Sequence, residues 1–277
     1  MQVGPALPAD LVALLGGGVA GCLGALVGIG GGVLLVPILN DLVGLSFREA
    51  TAASLVGVLA TSSSAAVVPI GKRLHNARLA LLLLTFSVTG ATVAGRFITS
   101  YSDRTFEALF GGLAAVIAGA MFVRLNRRNV LPPGVDIGTL GDRFHDHDTG
   151  DDVAYRIKRL PVALAVSFAA GALTALVGIG GGILIVPMLN SVCGVPLRVA
   201  AATSVFMVGV TAVPSLTFHW AGGFLGDFHI AGLTALGVVI GYQVGLALSP
   251  RASVRWLKIL MATILVAVAA RYLFKQS

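Results

Sequence analysis

The sequence predicts an all-α polytopic membrane protein of two homologous halves, with about 8–10 membrane segments and short or broken helices at glycine-rich motifs. Three observations predict it. The chain is too apolar for a soluble fold, one motif occurs twice in register, and each half carries the same series of apolar segments.

Of 277 residues, 56% are hydrophobic and 11% charged, against about 25% charged in soluble domains. Mean hydropathy is +0.93. A soluble fold of this length could not hide so much apolar surface, whereas lipid replaces water around the outside of a membrane bundle. The 36 glycines suit the same solvent, because glycine lets membrane helices pack closely and lets them break. The formal charge of +7 would suggest nucleic acid in a soluble chain. Here the basic residues sit between apolar segments, where they orient the chain, and no nucleic-acid partner is expected. Cys22 and Cys193 lie in or beside apolar segments and form no disulfide framework. They read as small buried side chains, with contact to a sulfur-containing substrate as the alternative. Met1 to Asp10 lacks the basic region of a cleavable signal.

The duplication is the strongest signal. Ala-Leu-Val-Gly-Ile-Gly-Gly-Gly occurs at Ala25–Gly32 and again at Ala175–Gly182. In the same frame Pro37 pairs with Pro187, Asn40 with Asn190, Gly44 with Gly194, Arg48 with Arg198 and Ser54 with Ser204. Chance apolar similarity would not keep Pro, Asn, Arg and Ser in register. The first repeat covers 1–124, a polar connector 125–158 and the second repeat 159–277.

Apolar segments run over Leu11–Val27, Val33–Val43, Ala50–Ile70, Leu79–Ile98 and Phe106–Val123, then over Val162–Val177, Ile183–Val192, Val199–Phe218, Ile230–Leu248 and Leu257–Leu273. The second segment of each half falls below the roughly 17 residues a span needs. It reads as a tilted short span, half of a broken helix, or a re-entrant piece. The connector, with its Asp142–Asp148 run of His and Asp, reads as a solvated, mobile loop. It lacks the fixed ligand spacing of a metal site.

Basic loops mark the cytoplasmic side. Lys72, Arg73 and Arg78 fill one first-half loop, while its counterpart Ala221–His229 has no Lys or Arg. The next second-half loop carries Arg251, Arg255 and Lys258, and the connector is basic at both ends. These positions place the two repeats in inverted orientation, with the connector cytoplasmic.

Consecutive glycines interrupt a helix. At membrane depth the freed backbone groups are tolerated only against protein or a watery cavity. A helix restarting after Gly30, Gly31 and Gly32, and another after Gly180, Gly181 and Gly182, would each present N–H groups and a positive dipole end to an anion. The other reading of these glycines is close helix packing, which is expected of Gly17/Gly21, Gly24/Gly28 and Gly237/Gly241/Gly245. Neither copy has the Lys-Ser/Thr of a P-loop, and Val33 and Ile183 stand where a dinucleotide motif has its third glycine. Pro37 and Pro187 would kink or cap the short segments. Asn40 and Asn190 offer amides in an apolar setting, for substrate or for another helix. Thr51, Ser54, Thr203 and Ser204 add hydroxyls that suit an anion or bond back to their own helix. Arg48 and Arg198 read as snorkelling to the interface, or else as attracting an anion. His219, beside Trp220, reads as interfacial. The middle of the spans lacks charge, and Asp10, Asp41, Glu49, Asp103, Glu107 and Asp227 all fall near segment ends, so neither a cation site nor a proton relay is expected.

The pattern at Gly28–Pro37 and Gly178–Pro187, followed by Ala52-Ala53-Ser54 and Ala201–Ser204, resembles the sulfite exporter TauE/SafE family of membrane permeases. The resemblance covers nearly the whole chain outside the connector. It implies transport of a small sulfur-containing anion, such as sulfite or an organosulfonate, across the cytoplasmic membrane of a bacterium or archaeon. About eight spans are usual in the family, so the short segments are the ones in question. The expected protein is a secondary transporter working by alternating access, not an enzyme, with no cofactor and no metal. The alternative is a passive anion channel or a carrier of another small solute. The substrate-binding set expected is Gly30, Gly31, Gly32, Asn40, Ser54, Gly180, Gly181, Gly182, Asn190, Thr203 and Ser204, with helix breaks at Pro37 and Pro187. Partners expected are the anion and the bilayer, with no nucleic acid; the sequence leaves open a coupling proton or sodium ion and a second copy of the chain.

Overall fold

The computed structural model describes residues 8–27, 30–66, 76–100, 102–122, 137, 140–145, 152–226, 228–248, 263, 266–267 and 269–272. The first half gives α1 (Ala9–Val27), α2 (Gly32–Pro37) continued by a π-helical turn (Ile38–Val43), α3 (Phe47–Ala66), α4 (Ala77–Gly95) and α5 (Asp103–Phe122). A β-hairpin follows, β1 (Asp142–His145) and β2 (Asp152–Tyr155). The second half gives α6 (Leu160–Val177), α7 (Gly182–Ser191), α8 (Leu197–Ala221) and α9 (Phe228–Leu248). The described residues from 263 to 272 are helical.

Five helices are long and apolar enough to cross a membrane: α1, α4, α6, α8 and α9. Their outer faces stay apolar, with Leu15 54% exposed on α1, Leu81 59% on α4 and Ile240 55% on α9. Hydroxyls on both faces are satisfied within their own helices. Buried Thr61, Thr174, Thr211 and Thr234, and exposed Thr85, Thr89 and Thr217, each donate to the carbonyl four residues earlier, which meets the demand of lipid that no polar group be left unpaired.

The short segments fold back. The Cα of Gly31 lies so close to α1 that an added Cβ would sit 2.8 Å from the Ala20 carbonyl oxygen, and one on Gly16 would sit 2.5 Å from Ile38 Cγ2. The chain advances from Gly31 to Ile38 while its partner retreats from Ala20 to Gly16, so α2 runs antiparallel along α1. A Cβ on Gly181 would likewise sit 3.0 Å from the Ala170 carbonyl. Among the three readings of these segments, the re-entrant one is observed. The α-helical stretch closes at Pro37, which has no N–H to give the preceding turn, and a π-helical turn follows it. Pro187 sits inside α7, which continues to Ser191.

The halves interlock. Gly17 and Gly21 press on the backbone of Thr234 and Val238, while Gly237, Gly241 and Gly245 press on the carbonyls of Leu14, Gly18 and Cys22. Both helices advance together through these pairs, so α1 and α9 are parallel, and Asp10 meets His229 at their common start, 3.4 Å apart. In the other pairing Gly171 presses on the Ser87 carbonyl and Gly90 on that of Phe168, joining α6 to α4. Each half's first helix is thus clasped by the other half's fourth. Between these pairs α3 crosses α8, where Ser62 donates to the Val205 carbonyl at 2.9 Å and lies against Gly209.

The connector differs from the loop expected. Asp142 to His145 pairs antiparallel with Asp152 to Tyr155, and Tyr155 is buried at 1% exposure. Asn76 at the start of α4 donates to the Tyr155 hydroxyl at 3.1 Å and to the Leu140 carbonyl at 2.7 Å. The hairpin is therefore anchored by one large buried ring. Burial pushes the Tyr155 phenol up to about 12, with Asp142 adding to the rise against the Asn76 hydrogen bond. The residues 146–151 between the strands, the loop with Lys72 and Arg73, and Arg251, Arg255 and Lys258 lie outside the described residues.

Candidate functional site

Both glycine runs meet at the centre, between α3 and α8. Gly30 and Gly31 have φ of 83° and 71°, and Gly178 and Gly180 have φ of 68° and 70°, left-handed conformations that cost glycine nothing. A Cβ on Gly32 would sit 2.7 Å from the Gly178 carbonyl oxygen and 2.8 Å from that of Ile179, so the runs lie back to back. The remaining motif residues Gly28 and Ile29 lie outside the described residues. Ser54 Oγ, fully buried, reaches the carbonyls of Gly32 at 3.2 Å and Gly178 at 3.0 Å. One hydroxyl thereby ties the two breaks together. Val58 and Val208 flank the same place: the Cβ position of Gly180 is 2.9 Å from Val208 Cγ1 and 3.5 Å from Val58 Cγ1.

The two restarts differ. At α7, Gly181 N–H donates to Thr174 Oγ1 at 2.7 Å, and Leu184 and Ile185 N–H return to the Gly181 carbonyl. Gly182 and Ile183 N–H are left as the first-turn donors, as helix geometry requires. In the first half Gly24 stands where Thr174 stands in the second, so that capping oxygen is missing, and the Gly24 Cβ position falls 2.8 Å from Gly31 N. Thr174, Val58 and Val208 were not singled out in the sequence. The one signal for Thr174 is its mismatch with Gly24.

Other expected residues lie elsewhere. Asn40 and Asn190 sit toward the far ends of the re-entrant segments, eight residues past Gly32 and Gly182, roughly 12 Å along a helix. Asn40 Nδ2 donates to the Leu45 carbonyl at 2.8 Å and its oxygen accepts from Tyr272 at 2.9 Å. Asn190 Nδ2 donates to the Val195 carbonyl at 3.0 Å. Both amides hold the turn that leads into the next helix. Thr203 faces the connector end and accepts from Asn76 N–H at 3.4 Å. Arg48 pairs with Asp103 at 2.8 Å and lies over the rings of Phe106 and Phe224, so its charge is engaged where the sequence suggested snorkelling. The side chain of Arg198 lies outside the described residues. His219, near the end of α8, does not face outward. It is buried at 1% exposure, its Nδ1 3.0 Å from the Ser215 carbonyl, while Trp220 beside it is exposed.

Two outcomes follow from this geometry. Ser54→Ala removes the tie between the breaks and is expected to lower stability by about 1 kcal/mol, read as earlier thermal denaturation in detergent. Cys193 is buried, its Sγ 3.3 Å from Met188 Sδ, and burial pushes its thiol up to about 11. The thiolate is the reactive form, so Cys193 is expected to resist maleimide at pH 7.5 until the protein unfolds. Rapid labelling of the folded protein at Cys193 would contradict the packing described.

The family model for the sulfite exporter TauE/SafE matches residues 13–272. The chain is 25% identical over 270 residues to the probable membrane transporter protein YunE of Bacillus subtilis, covering 93% of this chain and 94% of that one. It is 24% identical over 263 residues to a probable membrane transporter protein of Methanocaldococcus jannaschii, covering 90% of each. A probable membrane transporter protein of Haemophilus influenzae is 30% identical over 117 residues, 42% of this chain and 44% of that one. No solved structure matches the chain.

Proposed function

The chain belongs to the sulfite exporter TauE/SafE family, and from that premise we propose that it is a secondary transporter of a small sulfur-containing anion, such as sulfite or an organosulfonate. That it is a multi-pass membrane protein rests on five helices long and apolar enough to cross and on its family. The observation that carries the transport reading is the meeting of two helix breaks at the centre, joined through Ser54. Broken helices at membrane depth are the usual place for substrate in secondary transporters, because their ends supply donors without bringing charge into lipid.

Two inverted halves meeting at a central site suit alternating access. A re-entrant hairpin leaves on the side it entered, so α1 with α2 contributes no net crossing. Three helices then remain in the first half, an odd number, and the second half starts on the opposite side. The parallel pairing of α1 with α9 supports this inverted reading, since same-way repeats would make that pair antiparallel. The connector end carries exposed Arg78, Arg143, Arg156, Lys158 and Arg159, against Arg48, Arg96, Arg104 and Arg271 at the opposite end, where Arg48 and Arg271 are paired with Asp103 and Asp41, so the connector end is the more basic. The basic end is the cytoplasmic one, which makes the cytoplasmic membrane the expected location.

The test is uptake of radiolabelled sulfite into proteoliposomes, with sulfate and chloride as competitors, under imposed proton or sodium gradients. Saturable accumulation above the outside concentration supports a coupled carrier. Saturable equilibration that never exceeds it would favour a passive route. No uptake of sulfite or any organosulfonate would overturn the substrate assignment.

A further inference from the structure

The proposed site is lopsided, although the sequence repeat is symmetric. In the first half every hydroxyl at the break is engaged: Ser54 with the Gly32 and Gly178 carbonyls, Thr61 with that of Gly57 and, at 3.5 Å, that of Gly30. On α6 the buried Ser167 Oγ has no hydrogen-bond partner among the described residues, and neither do two others, on α3 and α8. They are Thr51 Oγ1 and Ser204 Oγ, and both side chains are 0% exposed. Each breaks the habit of this protein, in which buried hydroxyls donate to the carbonyl one turn back. A buried hydroxyl left unpaired is costly, and native proteins rarely keep one without a reason.

Thr51 lies against the second glycine run through its methyl, and Ser204 shares a helix face with a residue that touches that run. The Cβ position of Gly178 is 2.8 Å from Thr51 Cγ2. Thr51 shares its α3 face with Ser54 and Val58, which touch Gly178 and Gly180. Ser204 lies one turn before Val208 on α8, and Val208 presses on Gly180. Residues four apart share a helix face. Two free hydroxyls, one from each half, therefore flank the run that opens α7, whose Gly182 and Ile183 N–H groups are its first-turn donors.

We propose that the transported anion is held at the start of α7 by Thr51 Oγ1, Ser204 Oγ and the Gly182 and Ile183 N–H groups, in a single site and not in two equivalent ones. This rests on the transport reading above. The donor set contains no cation. It suits a compact oxyanion with several acceptor oxygens on one centre, as in sulfite or a sulfonate head group, which can accept from donors in different directions at once. Chloride accepts from N–H and O–H donors as well, and the competition assay separates it from the oxyanions. Because Thr51 comes from the first half and Ser204 from the second, the anion bridges the halves and is released when one moves against the other.

The experiment compares wild type with Thr51→Val, Thr51→Ser and Ser204→Ala, each first shown to be monodisperse in detergent. Sulfite uptake is measured across a concentration series. Loss of one hydrogen bond to the anion is expected to raise KM about tenfold in Thr51→Val and in Ser204→Ala, with Thr51→Ser near wild type. KM values in Thr51→Val and Ser204→Ala within about twofold of wild type, well under that tenfold, overturn the site while leaving sulfite transport intact. A second readout does not depend on the substrate. With Cys22 and Cys193 changed to serine, Thr51→Cys and Ser204→Cys are labelled with sulfonatoethyl and trimethylammonioethyl methanethiosulfonate, rates being divided by those for a free thiol. Faster labelling by the anionic reagent supports the site even if sulfite proves to be the wrong solute. Equal labelling by both reagents, or none by either, overturns it.

Discussion

Alanine at Gly32 is expected to abolish sulfite uptake and to remove most of the folded protein, although it adds a single methyl group. The new Cβ would lie 2.7 Å from the Gly178 oxygen, 2.8 Å from the Ile179 oxygen and 2.8 Å from Val58 Cγ2. Val58 can rotate. The two carbonyls cannot, because they belong to the other half's glycine run and Ser54 already fixes one of them. The halves must separate locally to admit the methyl. Overpacking of this kind costs about 1–3 kcal/mol and more where backbone is the obstacle, against a total stability of about 5–15 kcal/mol for a typical protein.

The control is Gly232→Ala on α9. An added Cβ there meets nothing within 4 Å, and a helical Gly to Ala change gains roughly 1 kcal/mol in propensity. Fluorescence-detected gel filtration of detergent extracts reads both variants. A monodisperse, active Gly32→Ala protein would mean that the two breaks do not lie against each other.

Much of this was open to a reader of the sequence, and the reason is locality. Segment positions follow from runs of apolar residues, so α1, α4, α6 and α9 fall within a few residues of the predicted spans. The small-residue spacing of Gly17/Gly21 and Gly237/Gly241/Gly245 marked close-packing faces, and the structure packs those faces together. What the pattern could not name was the partner. Gly21 is spaced for a close approach, but nothing near it in sequence points to Val238.

The re-entrant course of α2 was hidden for the same reason, being set by contact with Ala20 and Gly16. Burial of His219 and Tyr155 depends on neighbours far along the chain, and so does the hairpin that Tyr155 anchors. The amides of Asn40 and Asn190 were read as facing substrate or another helix. They serve the backbone five residues ahead, an interaction whose spacing was in the sequence but looked like nothing in particular. The departure of Thr51-Ala52-Ala53-Ser54 from Ala201-Ala202-Thr203-Ser204, like that of Gly24 from Thr174, was a visible hint that the halves contribute unequally.

Leucine at Gly241 and leucine at Gly90 are expected to be equally destructive, though the two glycines lie in different halves. Gly241 presses on the Gly18 carbonyl in the α1–α9 pair and Gly90 on the Phe168 carbonyl in the α4–α6 pair. In lipid no hydrophobic force holds helices together. Association rests on close packing through small residues, so a bulky side chain at the crossing removes what joins the pair. Each pair joins one half to the other, and losing either should leave the halves undocked and not merely loosened. Both variants should therefore lose the monodisperse peak in gel filtration to a similar degree. The same topology makes a second demand. The first half expressed alone should be unstable, because α1 has its partner in the other half. Co-expression of the two halves as separate chains, cut between α5 and the hairpin, should restore folded protein. A Gly90→Leu protein that stayed folded while Gly241→Leu collapsed would mean that α1–α9 alone holds the halves together. Stable, monodisperse single halves would mean that each half carries its own core, and that the exchange of helices between them is not what builds the central site.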